Sequence, residues 1–279
     1  MKPVDAPLPS AGARPARVVA RRGGQVHAQD DWLAEEVPVA LVFNGISHAV
    51  MLASPADLED FALGFAFTEG FLRHPGELYG VEALAVPDGL ELRLEVSSAC
   101  AWRLRERRRT LAGRTGCGLC GTDSLGQVRQ PLPRLQPTAV DPSAVARAQR
   151  RLRAHQALQQ LTGATHAAAW CSPQGQVLLA REDVGRHNAL DKLTGALLRQ
   201  GVDTAGGFIA ITSRASFEMV QKCARAGVSA LAAVSAPTAL AVETARGCGL
   251  LLMGFVRGDD LVAYTFDERL ALPGRAPAA

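Results

Sequence analysis

The second half of the chain alternates short apolar segments with helical patterns, and this order limits the folds that it can adopt. The apolar segments lie at 165–171, 176–181, 207–212, 228–234, 250–256 and 261–265, and the helical patterns lie at 186–200, 216–226 and 238–245. A glycine closely follows each helical pattern, as is common at helix ends. Short apolar strands that alternate with helices form a sheet that is covered by helices and is largely parallel. We therefore predict an α/β domain over residues 138–270.

The first half predicts a smaller α+β domain over residues 25–112. Two apolar runs within 37–52 flank Asn44-Gly45, the strongest short indication of a β-hairpin. A second hairpin is predicted over 81–96, where Leu90–Val96 alternates apolar and polar residues as a half-buried strand does. Between the two domains, residues 113–137 contain a glycine-rich loop and then a proline-rich linker.

Composition excludes several classes of protein. The 30 basic and 27 acidic residues give a net charge of +3, too small to predict binding to nucleic acid. No segment approaches the roughly 20 apolar residues of a membrane span, and residues 1–24, which lack a continuous apolar run, are not predicted to be a secretory signal. We expect a cytoplasmic protein with reduced thiols. Residues 1–24, rich in Pro, Ala, Gly and Arg, are predicted to be a disordered tail, and residues 271–279 form a second tail.

A Cys-x-x-Cys pair, Cys117 and Cys120, is the most specific candidate for chemistry. Glycines surround both cysteines, so the loop leaves their thiols sterically open. The arginine-rich run 103–109 supplies positive potential, which favours the reactive thiolate. Such a thiolate can take the terminal sulfur of another protein's persulfide and present it to an acceptor. The other four cysteines, in apolar or helical contexts, are predicted to be inert packing residues: Cys100, Cys171, Cys223 and Cys248.

Three other interpretations of the pair remain open. A structural zinc site needs four ligands, and the chain has no second Cys-x-x-Cys or His-x3-His. A thioredoxin-like redox pair normally begins a helix in a βαβ unit, whereas this pair lies between domains. A zinc deaminase pairs Pro-Cys-x-x-Cys with His-x-Glu, and neither pattern occurs here. We therefore expect no resident metal.

Polar residues follow several predicted strands where helices begin. Arg186 and His187 open the helical pattern after 176–181, and the turns Thr212-Ser213-Arg214 and Ser235-Ala236-Pro237-Thr238 follow the next two strands. Ligands of open parallel sheets bind at the carboxyl ends of strands, often against helix N-termini. The hydroxyls and guanidinium groups therefore indicate a phosphate-bearing ligand. Simple helix capping by the serines, or a pairing of His187 with Asp191 on the helix surface, would explain the same residues without a ligand.

Taken in order, the motifs resemble those of the FdhD family, a sulfurtransferase that formate dehydrogenase needs for activity. The similarity extends from about Val37 to Asp267. It rests on Gly116-Cys117-Gly118-Leu119-Cys120-Gly121, on Glu182-Asp183-Val184-Gly185-Arg186-His187-Asn188-Ala189-Leu190-Asp191-Lys192, on the two turns named above, and on Gly254-Phe255-Val256-Arg257-Gly258.

The resemblance implies a function and a fold. A cysteine desulfurase would pass sulfur to the loop as a persulfide, with Cys117 as the persulfide cysteine and Cys120 as its partner. The acceptor would be the molybdenum (or tungsten) bis-molybdopterin guanine dinucleotide cofactor, which receives a sulfido ligand before its insertion into formate dehydrogenase. The larger domain would be a three-layer, cytidine-deaminase-like fold without a zinc site, and the protein would be a homodimer.

The same resemblance assigns the turn after the last apolar strand to the guanine dinucleotide. That turn comprises Phe255, Val256, Arg257, Gly258, Asp259 and Asp260. The family's turn usually carries extra basic residues, from which Asp259 and Asp260 depart. Arg186, His187, Ser213, Arg214 and Ser235 complete the predicted cofactor contacts, and His187 and Asp183 are candidates for moving protons. The competing hypothesis is a non-enzymatic scaffold that holds the cofactor and whose cysteine pair binds zinc across a dimer.

Overall fold

The computed structural model describes residues 12–111 and 131–271, and side chains for 12–106 and 131–271. The described chain folds as two lobes and an N-terminal hairpin. The smaller lobe contains a four-stranded sheet, and the larger lobe a six-stranded sheet. Cys117 and Cys120 lie outside the described residues, as do residues 1–11 and 272–279.

The N-terminal residues form a β-hairpin, so the prediction of a disordered tail over 1–24 is wrong for its second half. Strand β1 (Ala13–Arg22) pairs antiparallel with β2 (Gln25–Ala34) along its whole length. The turn between them is Gly23-Gly24, with φ of 56° and 82°. Positive φ at both central residues is the requirement of the turn that best fits a two-residue hairpin. The prediction of disorder rested on the content of proline, alanine and arginine, and it overlooked the Gly23-Gly24 turn.

The smaller lobe confirms both predicted hairpins. Its elements are β3 (Val37–Phe43), β4 (Ile46–Ala53), α1 (Leu58–Thr68), β5 (Leu78–Val86), β6 (Gly89–Val96) and α2 (Ser98–Leu111). The strand order is β4-β3-β6-β5, with β3 and β6 parallel at the centre. The two helices pack on this sheet, and Phe61 from α1 and Leu104 from α2 lie in one apolar cluster. Helix α2 carries the arginine-rich run and was not predicted.

The larger lobe has a mixed sheet, so the prediction of a largely parallel sheet is wrong. Its elements are α3 (Pro142–Leu152), α4 (Ala157–Thr162), β7 (His166–Cys171), β8 (Val177–Asp183), α5 (Arg186–Arg199), β9 (Phe208–Ile211), α6 (Phe217–Arg225), β10 (Ala230–Ala233), α7 (Ala239–Cys248), β11 (Leu251–Arg257) and β12 (Asp260–Ala263). The order is β12-β11-β10-β9-β7-β8. Of its neighbouring strand pairs, only β9–β10 and β10–β11 are parallel. The connections β7–β8 and β11–β12 are too short for the crossover that a parallel pair needs.

Helices cover both faces of this sheet. Residues of α5, α6 and α7, such as Leu190 and Val220, form one apolar cluster with the strands, and α3 forms another on the opposite face through Val145. The lobe is therefore three-layered, and its likeness to cytidine deaminases stays a prediction. The linker prediction holds only in part, because Leu135 is buried and its N–H donates to the Cys248 carbonyl at 2.9 Å.

The two lobes meet where α1 crosses α5. Gly64 of α1 and Gly195 of α5 allow this crossing, since a Cβ on Gly195 would lie 2.7 Å from the carbonyl carbon of Asp60. A Cβ on Gly64 would similarly lie 2.6 Å from the carbonyl carbon of Asp191. Asp60 is itself buried and pairs with Arg181 and Arg199 of the larger lobe, at 2.8 Å in each case. Backbone contact and buried charge therefore fix one lobe against the other.

Two buried ammonium groups extend this interface. Lys192 Nζ lies 2.6 Å from Asp183 Oδ2, and both side chains are fully buried. Lys222 Nζ lies 2.9 Å from Asp191 Oδ1 and 2.7 Å from Glu69 Oε1. Burial alone would lower the pKa of Lys222, but the charges of Asp191 and Glu69 outweigh burial and raise it. Lys222 therefore stays charged inside the interface.

A search of the described helices finds none that is both long and apolar enough to cross a bilayer.

Candidate functional site

The carboxyl ends of the three parallel strands form one continuous polar edge. We call it the strand-end edge, made of residues 212–216, 234–238 and 254–258. Backbone hydrogen bonds join its three turns: the Thr238 N–H donates to the Ala215 carbonyl at 3.1 Å, and the Phe255 N–H to the Ser235 carbonyl at 3.3 Å. The predicted residues Ser213, Arg214, Ser235 and Phe255–Asp260, far apart in sequence, are brought together here.

Arg186 and His187 lie at the same edge. Strand β7 runs antiparallel between β8 and β9, so the end of β8 and the start of α5 lie beside the end of β9. His187 Nε2 lies 2.8 Å from Glu218 Oε2 and 3.4 Å from Ser216 Oγ, on the turn after β9. The Nε of Arg186 is buried and has no partner among the described residues. A buried donor of this kind at a polar edge can hydrogen-bond an anionic ligand.

Glu218 was missed by the sequence analysis. The hydrogen bond from His187 lowers the pKa of Glu218 despite the opposing effect of burial. Glu218 is therefore ionised at neutral pH and accepts from Nε2–H, which leaves His187 Nδ1 for a ligand. In sequence Glu218 is only an acidic residue in the first turn of a helix. Its distance to His187 depends on how α5 and α6 pack.

Helix capping by the serines and pairing of His187 with Asp191 do not explain these residues. Ser216 is the N-cap of α6 but makes no capping bond, and Ser213 Oγ donates to the Arg214 carbonyl at 3.0 Å. Thr238, and not Ser235, caps α7. The predicted pairing of His187 with Asp191 is also absent from the described contacts, since Asp191 is buried against Lys222.

Phe255 has a strained backbone and an exposed ring. Its φ is 52°, in the left-handed region that costs a non-glycine residue on the order of 1 kcal/mol, and such residues cluster at functional sites. The residue is 41% exposed, and its backbone N–H donates to the Ser235 carbonyl. An exposed ring at this edge can stack on a planar heterocycle.

The remaining residues of that turn differ in how buried they are. Val256 is 1% exposed and belongs to the apolar core, so its side chain cannot be the ligand contact that was predicted. Arg257 is exposed and its Nε donates to the Val234 carbonyl at 3.4 Å. Asp259 is held by Arg150 of α3 at 2.7 Å, and the Gly258 carbonyl accepts from the same guanidinium at 3.1 Å. Arg150 thus offsets one of the two carboxylates that depart from the family pattern.

A cleft of about 820 Å³ opens beside the strand-end edge. Thr212 and Val234 form one wall, and α3 and α4 supply the other. The remaining lining residues are mostly polar: Gln149, Arg153, Gln156, Gln159, Gln160, Gly163, Ala164, Thr165 and His166. Gln149 Oε1 is buried without a partner among the described residues. Sequence reasoning missed this wall because α3 and α4 meet the strand ends only in the folded chain.

His166 in this cleft is a neutral imidazole at pH 7. Burial lowers its pKa, and the positive charges of Arg186 and His187 lower it further. It can therefore both donate and accept a hydrogen bond there.

Much of the segment from Glu182 to Lys192 is structural. Glu182 accepts from the N–H groups of Leu158 and Gln159 and so caps α4. Asp183 accepts from the N–H groups of Ser54 and Gly185 and is fully buried, so it is closed to solvent and the expectation that it moves protons is wrong. Only the half-buried start of α5, with Arg186 and His187, faces the strand-end edge.

The four cysteines in the described residues are all buried. Burial raises the pKa of each thiol, and that of Cys171 reaches about 12. They are inert packing residues, as predicted. Within residues 12–106 and 131–271, no group of three or more His, Cys, Asp and Glu side chains could hold a metal ion.

The fold and this edge define a class: a two-lobed α/β protein with a polar strand-end site, whose sequence carries a cysteine pair in the segment that connects the lobes. The FdhD/NarQ family model matches residues 34–271. The chain is 59% identical over 274 residues to "Sulfur carrier protein FdhD" of Variovorax paradoxus, covering 98% of this chain and 99% of that one. It is 56% identical over 260 residues to the protein of the same name from Bordetella petrii, covering 92% and 94%.

The chain therefore belongs to the FdhD/NarQ family. A crystal structure of a proposed formate dehydrogenase accessory protein from Desulfotalea psychrophila has the same fold. The TM-score is 0.74 at 23% identity, with 93% of this chain and 99% of that one covered.

Proposed function

We propose that this protein is a sulfurtransferase that carries sulfur as a persulfide on Cys117, with Cys120 as its partner. The donor is a cysteine desulfurase, and the acceptor is the molybdenum (or tungsten) bis-molybdopterin guanine dinucleotide cofactor of formate dehydrogenase. The family and the names of its curated relatives support sulfur carriage. Cytoplasmic location, a homodimer and a deaminase-like larger lobe belong to the same proposal.

The observation that carries the proposal is the burial of the four other cysteines. A sulfur carrier needs a thiolate that a second protein can reach. Cys100, Cys171, Cys223 and Cys248 have raised pKa values and no access to solvent. Among six cysteines, only Cys117 and Cys120 are left to carry sulfur.

The transfer proceeds by thiol–persulfide exchange. The Cys117 thiolate attacks the terminal sulfur of the donor persulfide, a new S–S bond forms, and the donor cysteine leaves as a thiolate. When the Cys120 thiolate then attacks the Cys117 sulfur, hydrosulfide leaves towards the metal and a Cys117–Cys120 disulfide remains. A thiol reductant restores the pair.

The strand-end edge suits the acceptor. The pyrophosphate groups of the cofactor require cationic and N–H donors. Arg186, Arg214 and Arg257 can supply these, beside the hydroxyls of Ser213 and Ser235. The guanine of the cofactor requires a planar face to stack on, which the Phe255 ring can provide. The cofactor is the cargo of the reaction, and these residues would bind and orient it.

Persulfide mass spectrometry tests the proposal. The protein is incubated with a cysteine desulfurase and cysteine, and a mass increase of about 32 Da is sought on each cysteine peptide. We expect the adduct in wild type and in the matched control Cys248→Ala, and its loss in the Cys117→Ala/Cys120→Ala double variant. An adduct that persists in the double variant would refute the proposal. Bound zinc with no adduct would favour the scaffold.

A further inference from the structure

Helix α2 has one face in the core and one face in solvent. Cys100 and Leu104 lie in the apolar cluster of the smaller lobe. On the other face Trp102 is 63% exposed and Arg105 is exposed. Large aromatic side chains are normally covered, and an exposed Trp is the residue type most enriched among binding hot spots.

A hollow of about 390 Å³ lies directly beside Trp102. Gly70, Phe71 and Arg73, from the segment after α1, form its other side. The indole thus stands at the rim of a concavity into which a partner's side chain can pack, with exposed guanidinium groups near it.

This face is rigid. Arg103 Nη2 donates to Glu77 Oε2 at 2.5 Å and to the Phe71 carbonyl at 3.1 Å. The hydrogen bond from Arg103 lowers the pKa of Glu77, so the pair is charged at neutral pH. The Cys100 thiol donates to the same Phe71 carbonyl at 3.4 Å. A preorganised face binds without paying the cost of ordering itself.

The charge of the helix specifies the partner. Residues 103–109 contain five arginines and one glutamate, so this stretch has a net charge of 5 − 1 = +4, more than the +3 of the whole chain. The exposed guanidinium groups of Arg73 and Arg105 favour an acidic partner surface, with an apolar side chain for the hollow.

The position of the helix identifies which protein that partner is. Five residues separate Leu111, where α2 ends, from Cys117, and the six Cα–Cα steps between them span at most about 22 Å. The cofactor contacts are proposed for the strand-end edge of the other lobe. A protein that delivers sulfur must reach Cys117, whereas a protein that receives the loaded cofactor must approach the strand-end edge.

We propose that Trp102 and Arg105, with the hollow bounded by Gly70 and Arg73, form the docking face for the sulfur donor, an acidic surface of the desulfurase. This inference rests on the proposed sulfur carriage. Docking raises the rate at which the donor persulfide meets Cys117 and takes no part in the chemistry itself.

The test compares two sulfur sources on Trp102→Ala and Arg105→Glu in the full chain. Docking predicts that persulfide formation from a cysteine desulfurase slows about tenfold or more in each variant, and that loading from inorganic polysulfide is unchanged. Higher salt should slow desulfurase loading of wild type and affect Arg105→Glu less. Leu178→Ala, which removes a 57% exposed apolar side chain from β8, and Arg14→Glu, on the N-terminal hairpin, are matched controls and should load normally.

The possible failures are distinguishable. If wild type accepts sulfur from neither source, sulfur carriage itself is wrong. If Trp102→Ala accepts desulfurase sulfur at the wild-type rate, the docking face is wrong while sulfur carriage stands. If that variant loads normally but no longer activates formate dehydrogenase, the face belongs to the recipient, which overturns the assignment to the donor.

Discussion

The crossing of α1 and α5 gives the sharpest stability prediction. Replacing glycine by alanine inside a helix ordinarily raises stability, and at this crossing the added methyl group should lower it. Gly195→Ala places a Cβ 2.7 Å from the Asp60 carbonyl carbon and 2.9 Å from its Cα. Ordinary contact begins at 3.4 Å and the Asp60 carbonyl oxygen is nearer still, so the helices must separate by more than the roughly 0.7 Å that the carbonyl carbon alone requires. The obstacle is helix backbone, which cannot rotate away as a side chain can.

The magnitude follows from two opposed effects. Alanine in a helix interior is about 1 kcal/mol more favourable than glycine. Overpacking costs about 1–3 kcal/mol, and we take the upper end because separation also strains the buried pairs Lys192–Asp183 and Lys222–Asp191. We therefore expect Gly195→Ala to reduce the free energy of unfolding by about 2 kcal/mol.

Urea unfolding, followed by circular dichroism, measures this change in the full chain. Gly247→Ala is the matched control: Gly247 also lies in a helix, but a Cβ there meets no atom within 4 Å. It should raise stability by up to about 1 kcal/mol. The reasoning would be refuted if both substitutions raised stability, because the crossing would then tolerate a methyl group.

Two further predictions concern buried charge. Lys222→Met leaves Asp191, which is 1% exposed, without its cation, so the free energy of unfolding should fall by about 3–5 kcal/mol. Adding Asp191→Asn should recover much of this loss in a double-mutant cycle. Equal stability of the single and double variants would contradict the pairing. The pKa of His166 is lower in the folded chain than in the unfolded chain, so near pH 6.5 the unfolded chain binds a proton that the folded chain does not. Stability should therefore fall as the pH drops below about 6.5, until the lower pKa of the folded chain is reached. His166→Gln should weaken that dependence in urea midpoints measured from pH 7 to lower pH, and an unchanged dependence would show that another group causes it.

Local patterns in the sequence predicted elements well where the cause is local. Asn44-Gly45 makes its own hairpin turn, with φ of 44° and 80°, and the alternation of Leu90–Val96 survives as strand β6. Helices α5, α6 and α7 begin and end close to the predicted residues because capping and glycine stops act within one turn. The N-terminal hairpin was missed although Gly23-Gly24 is a turn of the same kind.

Strand direction and residue roles were predicted less well. The short gaps between segments 165–171 and 176–181, and between 250–256 and 261–265, are visible in the sequence and exclude a parallel crossover there, but the prediction rested on the alternation of apolar and helical segments. Residue roles depend on packing. Asp183 resembled a reactive residue in sequence, yet packing of the small lobe buries it against Lys192. Val256 likewise belongs to the core.

By itself, the sequence determined the two-part organisation, the polar turns after the strands, and the cysteine pair as the candidate carrier, because turn residues, periodicity and thiol spacing are local properties. Only the tertiary structure decided which of those polar residues lie together at the strand-end edge. Glu218 reaches His187, and Gln149 reaches the strand ends, through the packing of helices that are distant in sequence, while the pairing of β7 with β9 places His166 there. The same packing buried the four remaining cysteines, since whether a thiol meets water depends on every element around it.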